Sequence, residues 1–393
     1  MSEMGTGRIL IVAGEASGDL HAASVVQELL RRAPHLIVEG IGGDRMREAG
    51  VRLHAHSNDL AVVGLAEVAV RLPALLRAYR SMTRLLRDTP PDLLMLVDFP
   101  DFNLLLARRA YRQQIPVLYF ISPQVWAWRT GRVRSIARLV RRLLVIFPFE
   151  EAFYREWGVQ ALYVGHPLLD RLSPPPTMDD ARRHLGLDRA ASVVGLLPGS
   201  RIGEITRHLP LLLRAIRRLE GSQPDVRVII AAADGIPLDL ISSYLRQEGS
   251  SARVVQGRTH EVIAASDLIL VASGTATLEA AIIGTPMVIV YRLAFISWLL
   301  GRLLIRVPYI GMANLVAGES IAPELIQFQA TPERIADQAR RLLESPERRR
   351  WMQQRLREVR DRLGPPGAAA RAAEAVLEML QLNAGAAARV GKG

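Results

Sequence analysis

The 393-residue sequence has no cysteine and a single lysine, Lys392. The first absence excludes disulfides, cysteine-ligated zinc and thiol catalysis, and it fits a reducing compartment. The second leaves nearly all positive charge to arginine, whose planar fork suits phosphates and carboxylates. Aromatic residues make up 5% of a chain that is 49% hydrophobic. Any core is therefore built on Val, Leu, Ile and Ala, as in α/β enzymes. No apolar run reaches the ~20 residues of a membrane span; residues 294–300, for example, lie between Arg292 and Arg302. Residues 1–7 are polar, so no secretory signal is expected. There is no HExxH and no Asp-x-Asp followed by a third ligand, so no metal is expected. His54 and His56 share strand spacing, but nothing nearby completes a metal site.

Negative charge is locally missing too. No carboxylate occurs between Phe102 and Phe149. Residues 68–149 hold fourteen arginines against four aspartates (88, 92, 98 and 101), which is nearly all of the chain's net +11. A one-sided field of this kind favours an anionic partner: nucleic acid, an acidic membrane or a phosphorylated lipid.

What is present begins with two glycine loops. Gly14-Glu-Ala-Ser-Gly-Asp19 follows the apolar run 9–13, and Pro198-Gly-Ser-Arg201 follows 193–197. A strand that stops at glycine and turns into a helix leaves unpaired N–H groups that bind anions and sugar oxygens. Two such loops, about 185 residues apart, predict twin doubly wound α/β domains across a ligand. Strands are predicted at 8–13, 36–41, 92–97, 117–121 and 143–147, then at 192–197, 226–231, 253–255, 268–271 and 287–291. A helix is predicted over 20–32. Such alternation argues for mainly parallel sheets. The Pro-rich segment 172–177 is a stiff connector between domains 1–171 and 178–345. After Thr331 the chain reads as helical, and 382–393 as a frayed tail.

The second half carries the more specific cluster. Residues 272–279 follow a buried strand and open a helix, with Ser273 or Thr275 available as its cap. A diphosphate fits that end. Glu279, four residues after Thr275, can accept from two neighbouring hydroxyls such as those of a ribose. Arg201 can neutralise phosphate. In the first half, Asp98 and Asp101 flank Phe99-Pro100 at a strand end, where Pro100 blocks continuation. Either can take a proton from an attacking hydroxyl, with Glu15 and Asp19 as competitors. Asp101 also reads as a helix cap.

Two segments read as membrane contacts. Pro73 is expected to open a helix with arginines at 77, 80, 84 and 87 on one stripe. Leu75 and Leu76 lie on its apolar remainder, and Val62, Val63, Leu65, Val68 and Leu72 precede them. An apolar face rimmed by arginine suits an anionic interface. Trp126, Trp128 and Arg129 open the second segment.

These motifs in order resemble the lipid-A-disaccharide synthases. The matching strings are 12–19, Val97-Asp-Phe-Pro-Asp-Phe-Asn103, Ser122-Pro-Gln-Val-Trp-Ala-Trp-Arg129, 147–150, 165–167, 197–201, 272–279, Tyr291-Arg292 and Asn314-Leu315. The resemblance implies a GT-B fold, two Rossmann-like domains with a cleft between them, and C-terminal helices 346–381 that pack back on the first domain. It implies a UDP-2,3-diacylglucosamine donor, a 2,3-diacylglucosamine 1-phosphate (lipid X) acceptor, inversion at the anomeric carbon, and neither cofactor nor metal. It further implies peripheral attachment to the inner face of the inner membrane, from the cytoplasm, and leaves a homodimer open. The essential aspartate and arginine match Asp98 and Arg201. Donor contacts fall on Gly199, Ser200, Arg201, Ser273, Gly274, Thr275, Thr277, Glu279, Tyr291 and Asn314. Acceptor contacts fall on Glu15, Ser17, Asp19 and Asn103. The rival readings are another GT-B UDP-sugar transferase or epimerase and a basic nucleic-acid-binding protein. No nucleic-acid motif is present, and a dehydrogenase is disfavoured because Gly14-x-x-x-Gly18 lacks the middle glycine of the dinucleotide fingerprint.

Overall fold

The computed structural model describes residues 7–60, 65–123, 125, 130–293 and 307–390, with backbone alone for 65–71, 130 and 383–390. Val62 and Val63, the side chains of Leu65 and Val68, the segment Trp126 to Arg129 and the apolar stretch 294–300 lie outside the described residues. The chain divides into two units, one of Met1–Asp170 with Pro365–Gly393, the other of Arg171–Gly364.

The first unit holds β1 (Arg8–Ala13), β2 (Ile37–Gly42), β3 (Arg52–His56), β4 (Leu93–Val97), β5 (Val117–Phe120), β6 (Arg142–Val145) and β7 (Ala161–Tyr163). They form one sheet in the order β3-β2-β1-β4-β5-β6-β7, every pair parallel. The inner strands read as unbroken apolar runs, Leu93–Val97 among them, because helices cover both faces. The second unit repeats the plan with β8 (Val193–Leu197), β9 (Arg227–Ala232), β10 (Arg253–Gln256), β11 (Leu268–Ala272), β12 (Met287–Tyr291) and β13 (Glu324–Ile326). Its order is β10-β9-β8-β11-β12-β13, again all parallel. The expected doubly wound sheets are both present.

The strand order places the loops. It reverses between β1 and β4, and again between β8 and β11, so the chain leaves those neighbours in opposite directions and opens a crevice at their carboxyl ends. Ala13 pairs with Val97 and Leu197 with Val271. Gly14 therefore starts beside Asp98, and Pro198 beside Ala272. Gly14 has a packing reason to be glycine: a Cβ there would lie 2.2 Å from Cδ1 of Phe99.

Several expectations are corrected. The first helix is Ala16–Arg32, not 20–32, so residues 16–19 form its opening turn. Pro73 lies inside Leu65–Asp88 instead of opening it; the missing N–H costs one helical bond but the helix runs through. The unit boundary falls at Asp170, ahead of the Pro-rich segment, which belongs to the second unit. Helix Pro346–Arg362 packs on Thr275–Ile283 and Met312–Ala317 within that unit, so it does not return with the last helix. Only Ala368–Val390 belongs to the first unit, packed on Ala16–Arg32. Asp170 seats it, accepting from the N–H groups of Gly367 (2.5 Å), Ala368 (3.2 Å) and Ala369 (3.0 Å). The 382–393 tail is helical to Val390, as its alanine content favours. Strands β7 and β13, three residues each, carry no sequence signal long enough to read.

Candidate functional site

In the second unit, seven predicted residues line one cavity of about 580 Å³: Gly199, Ser200, Arg201, Ser273, Gly274, Thr275 and Glu279. The helix Thr275–Ile283 begins at its edge. Its cap is Gly274, with φ +153° and ψ −161° and no side-chain cap. That backbone region is open essentially to glycine alone. Neither Ser273 nor Thr275 caps the helix, contrary to expectation. Ser273 donates its hydroxyl to the Ile310 carbonyl at 3.0 Å instead. The first-turn N–H groups of an uncapped helix carry partial positive charge toward whatever lies beyond them. Arg201, itself the cap residue of Ile202–Glu220, is 59% exposed, and its nearest carboxylate is Glu204 at 3.8 Å. Glu204 also accepts from the Ser200 N–H at 2.9 Å, which secures the turn. Glu279 is held 3.3 Å from His260 Nε2 and is largely buried.

Three residues expected at this site are not in it. Thr277 is fully buried; it donates to the Gly274 carbonyl at 2.8 Å and accepts from the Met312 N–H at 3.1 Å. Asn314 is fully buried as well, and its amide is spent on the loop that precedes β13. It donates to the Ala322 carbonyl and Glu324 (both 2.8 Å) and accepts from Ile321 and Ala322 N–H. Tyr291 does not line the cavity; it stacks on His208 with ring centroids 5.9 Å apart. His208 connects the two loops. The Arg292 N–H donates to its Nε2 at 3.0 Å, so Nδ1 carries the proton and donates to the Pro198 carbonyl at 3.1 Å. Burial lowers its pKa and keeps it neutral. Tyr291 and His208 thus brace the Pro198 loop from behind.

The cavity also extends over Asp234, Gly257, Arg258, Thr259 and His260, at the carboxyl ends of β9 and β10. The sequence reading missed these five. The signal was there in Asp234 and in the run 257–260, which lie two to five residues beyond the strands predicted at 226–231 and 253–255.

In the first unit, Asp98 stands at the β4 end with φ +47°. Burial, then the neighbouring charge of Glu15, pushes its carboxyl pKa up to about 6 from an ordinary 3.8; a backbone N–H from Phe99 opposes the rise. Asp101 is 80% exposed, paired with Arg132. The helix Pro100–Arg112 starts ahead of it with Phe99 as cap, so Asp101 is not the cap residue. Ser17 is exposed in the first turn of its helix, and Glu15 is that helix's cap residue.

Asp19 and Asn103 have other work. Asp19 is buried, and both its oxygens cap the short helix Asp44–Glu48, accepting from Gly43 (2.6 Å), Met46 (3.1 Å) and Arg45 (3.1 Å) N–H. Asn103 is fully buried and donates to the Val97 and Asp98 carbonyls. Both are buried, so neither presents a polar atom to an acceptor substrate. Asp19→Ala is expected to cost about 2–3 kcal/mol in urea unfolding, with turnover per folded molecule within a few-fold of the unmodified chain. Loss of turnover at unchanged stability would return Asp19 to the reaction.

The helix face is divided. Leu72 and Leu76 are 47% and 43% exposed, whereas Leu75 packs against the core of the first unit and is withdrawn as a surface contact. Among the described residues, no helix is long and apolar enough to cross a membrane, and no group of three metal-ligating side chains occurs.

Comparison with known proteins bears on both units. The profile of the lipid-A-disaccharide synthetase family matches residues 9–378. The chain is 47% identical to lipid-A-disaccharide synthase of Geobacter sulfurreducens over 380 residues, covering 97% of this chain and 99% of that one. With the Syntrophus aciditrophicus synthase the identity is 46%, over 95% and 98% of the two chains. Among solved structures it resembles UDP-GlcNAc 2-epimerase from Neisseria meningitidis bound to UDP-GlcNAc (TM-score 0.66, 14% identity, 94% of this chain and 100% of that one). It also resembles the calicheamicin glycosyltransferase CalG4 (TM-score 0.61, 18% identity, 96% and 99%). These two likenesses concern the fold, which is the GT-B pair of Rossmann-like units. With the family profile spanning both sheets and relatives nearly half identical along their whole length, the chain belongs to the lipid-A-disaccharide synthetase family, the glycosyltransferases of lipid A biosynthesis.

Proposed function

We propose that the chain transfers 2,3-diacylglucosamine from its UDP derivative to the 6-hydroxyl of 2,3-diacylglucosamine 1-phosphate, with inversion at the anomeric carbon. The observation that carries this is the single cavity holding the Gly274 helix end, Arg201 and Glu279. The helix end and Arg201 take the diphosphate, Glu279 the ribose hydroxyls, and the strand ends at Asp234 and Gly257 leave room for the base. The first unit supplies Asp98 as general base. Its carboxylate accepts the 6-hydroxyl proton as that oxygen bonds to the anomeric carbon. The bond from that carbon to the diphosphate oxygen breaks, and its electron pair leaves with UDP. Preorganised charge at the leaving group is the largest expected contribution. Glu15 and Ser17 flank the same strand ends as acceptor contacts.

The test is UDP release from UDP-2,3-diacylglucosamine, with and without the acceptor, in EDTA. Release that requires the acceptor and is indifferent to EDTA is the expected result. Release without acceptor would mean hydrolysis, and loss of activity in EDTA would demand a metal; either overturns this reading.

We propose that Leu72 and Leu76, exposed beside the exposed Arg77 and Arg80, contact the anionic inner face of the inner membrane. Leu72→Ser with Leu76→Ser is expected to lower partition onto phosphatidylglycerol vesicles roughly tenfold or more, given about 1.5–3 kcal/mol per buried leucine. Unchanged sedimentation would put the membrane face elsewhere.

A further inference from the structure

Asp98 and Phe99 are consecutive non-glycine residues with positive φ, +47° and +49°. Ordinary side chains avoid this region, and a pair of them in sequence persists only when surrounding contacts enforce it. The enforcing contacts converge on one atom. Tyr119 Oη donates to the Asp98 carbonyl oxygen at 2.5 Å, and Asn103 Nδ2 donates to the same oxygen at 2.7 Å. Both donors are fully buried, Tyr119 on β5 and Asn103 in the helix Pro100–Arg112. The left-handed turn directs the carbonyl into the protein, where it would be an unsatisfied buried acceptor without them. Burial and the Asp98 charge push the Tyr119 phenol upward, so it keeps its proton and remains a donor. Asn103 gives a second indication. Its Oδ1 is the buried side-chain polar atom without a partner among the described residues. A buried amide with one end orphaned is costly, and what this one supplies in return is its donor end, aimed at residues 97 and 98.

We propose that Tyr119 and Asn103 are positioning residues that clamp the Asp98 carbonyl, keep residue 98 in its left-handed backbone, and so hold the carboxylate in the attitude its reaction needs. The inference rests on Asp98 being the base. The charged and titratable groups around it are Glu15 at the start of the first helix, Tyr119 on β5, and the Asp101–Arg132 pair.

Tyr119→Phe keeps the ring and removes one donor. The expected result is a fall in kcat of about 10- to 100-fold, the scale of a small misplacement of a reacting group. KM for both substrates, UDP affinity and the thermal midpoint should stay near their unmodified values. The acid limb of the kcat/KM profile should move from near pH 6 toward the ordinary carboxylate range as residue 98 relaxes. A purely structural role would lower the midpoint without moving that limb. Asn103→Ala, which removes the other donor, is expected to act in the same direction and serves if Tyr119→Phe does not fold. Either folded variant with kcat within twofold of the unmodified enzyme and an unmoved acid limb overturns the clamp. Asp98→Asn run in parallel separates the two failures. An active Asp98→Asn refutes the base; an inactive Asp98→Asn beside a fully active Tyr119→Phe refutes the clamp alone.

Discussion

Asp98→Asn is expected to abolish most turnover, by about 10²–10⁴-fold, the usual contribution of a positioned base. The same change is expected to stabilise the folded chain above pH 6. The carboxyl is held at about 6, above its ordinary 3.8, so the folded state binds this proton more tightly than the unfolded state. The resulting stabilisation is complete below the ordinary value and is lost as pH rises through about 6. At pH 8 the ionised, poorly solvated group is therefore a net cost, of about 1–3 kcal/mol at partial exposure. Asparagine removes the charge and tolerates the left-handed backbone. Thermal unfolding at pH 8 and pH 5 checks this: the variant should melt higher at pH 8, and the gain should shrink at pH 5. The same proton accounts for an expected loss of unmodified activity below about pH 6. Turnover within a few-fold of the unmodified enzyme would move the base to Glu15 or Asp101.

Arg201→Ala is expected to weaken UDP binding and to lower kcat/KM by about 10²–10³-fold, the effect of deleting one donor to developing charge. Its guanidinium is 59% exposed, and its ion partner Glu204 is 3.8 Å away. Stability should therefore change by no more than about 0.5 kcal/mol. Arg201→Lys should recover only part of the loss, because a single ammonium cannot bridge two phosphate oxygens as a fork does. Titration calorimetry with UDP reads this directly. Unchanged affinity in Arg201→Ala would remove the diphosphate from this end of the cavity, and Gly274 with it.

The polar residues of the ordered motifs look alike in sequence, yet they divide sharply in space. Glu279 and Arg201 face a cavity, while Asn314, Thr277, Asp19 and Asn103 are consumed by backbone groups. The difference lies in partners remote along the chain. Asp19 is committed to Gly43, Arg45 and Met46, and Asn314 to Ile321 and Ala322. A short polar side chain has the same chemistry whether it caps a helix or meets a ligand. Only the packing that brings a second segment against it decides which. Asp234, Gly257 and His260 were legible in principle, since each follows a predicted strand at its carboxyl end, but no residue type there is diagnostic by itself.

Read alone, the sequence determined two doubly wound parallel sheets, the positions of their glycine turns and the arginine-rich first half. Those properties are local: apolar runs of strand length, glycine where a strand turns into a helix, proline where a ladder stops. Tertiary structure alone decided the rest. It assigned Pro346–Arg362 to the second unit and the last helix to the first. It set Asp98 beside Glu15 in a largely desolvated place, spent Asp19 on backbone N–H groups and left Asp101 exposed. It turned Leu75 inward while leaving Leu72 and Leu76 exposed. Each of these depends on desolvation or on which face meets a neighbour, and neither quantity exists until distant segments are packed together.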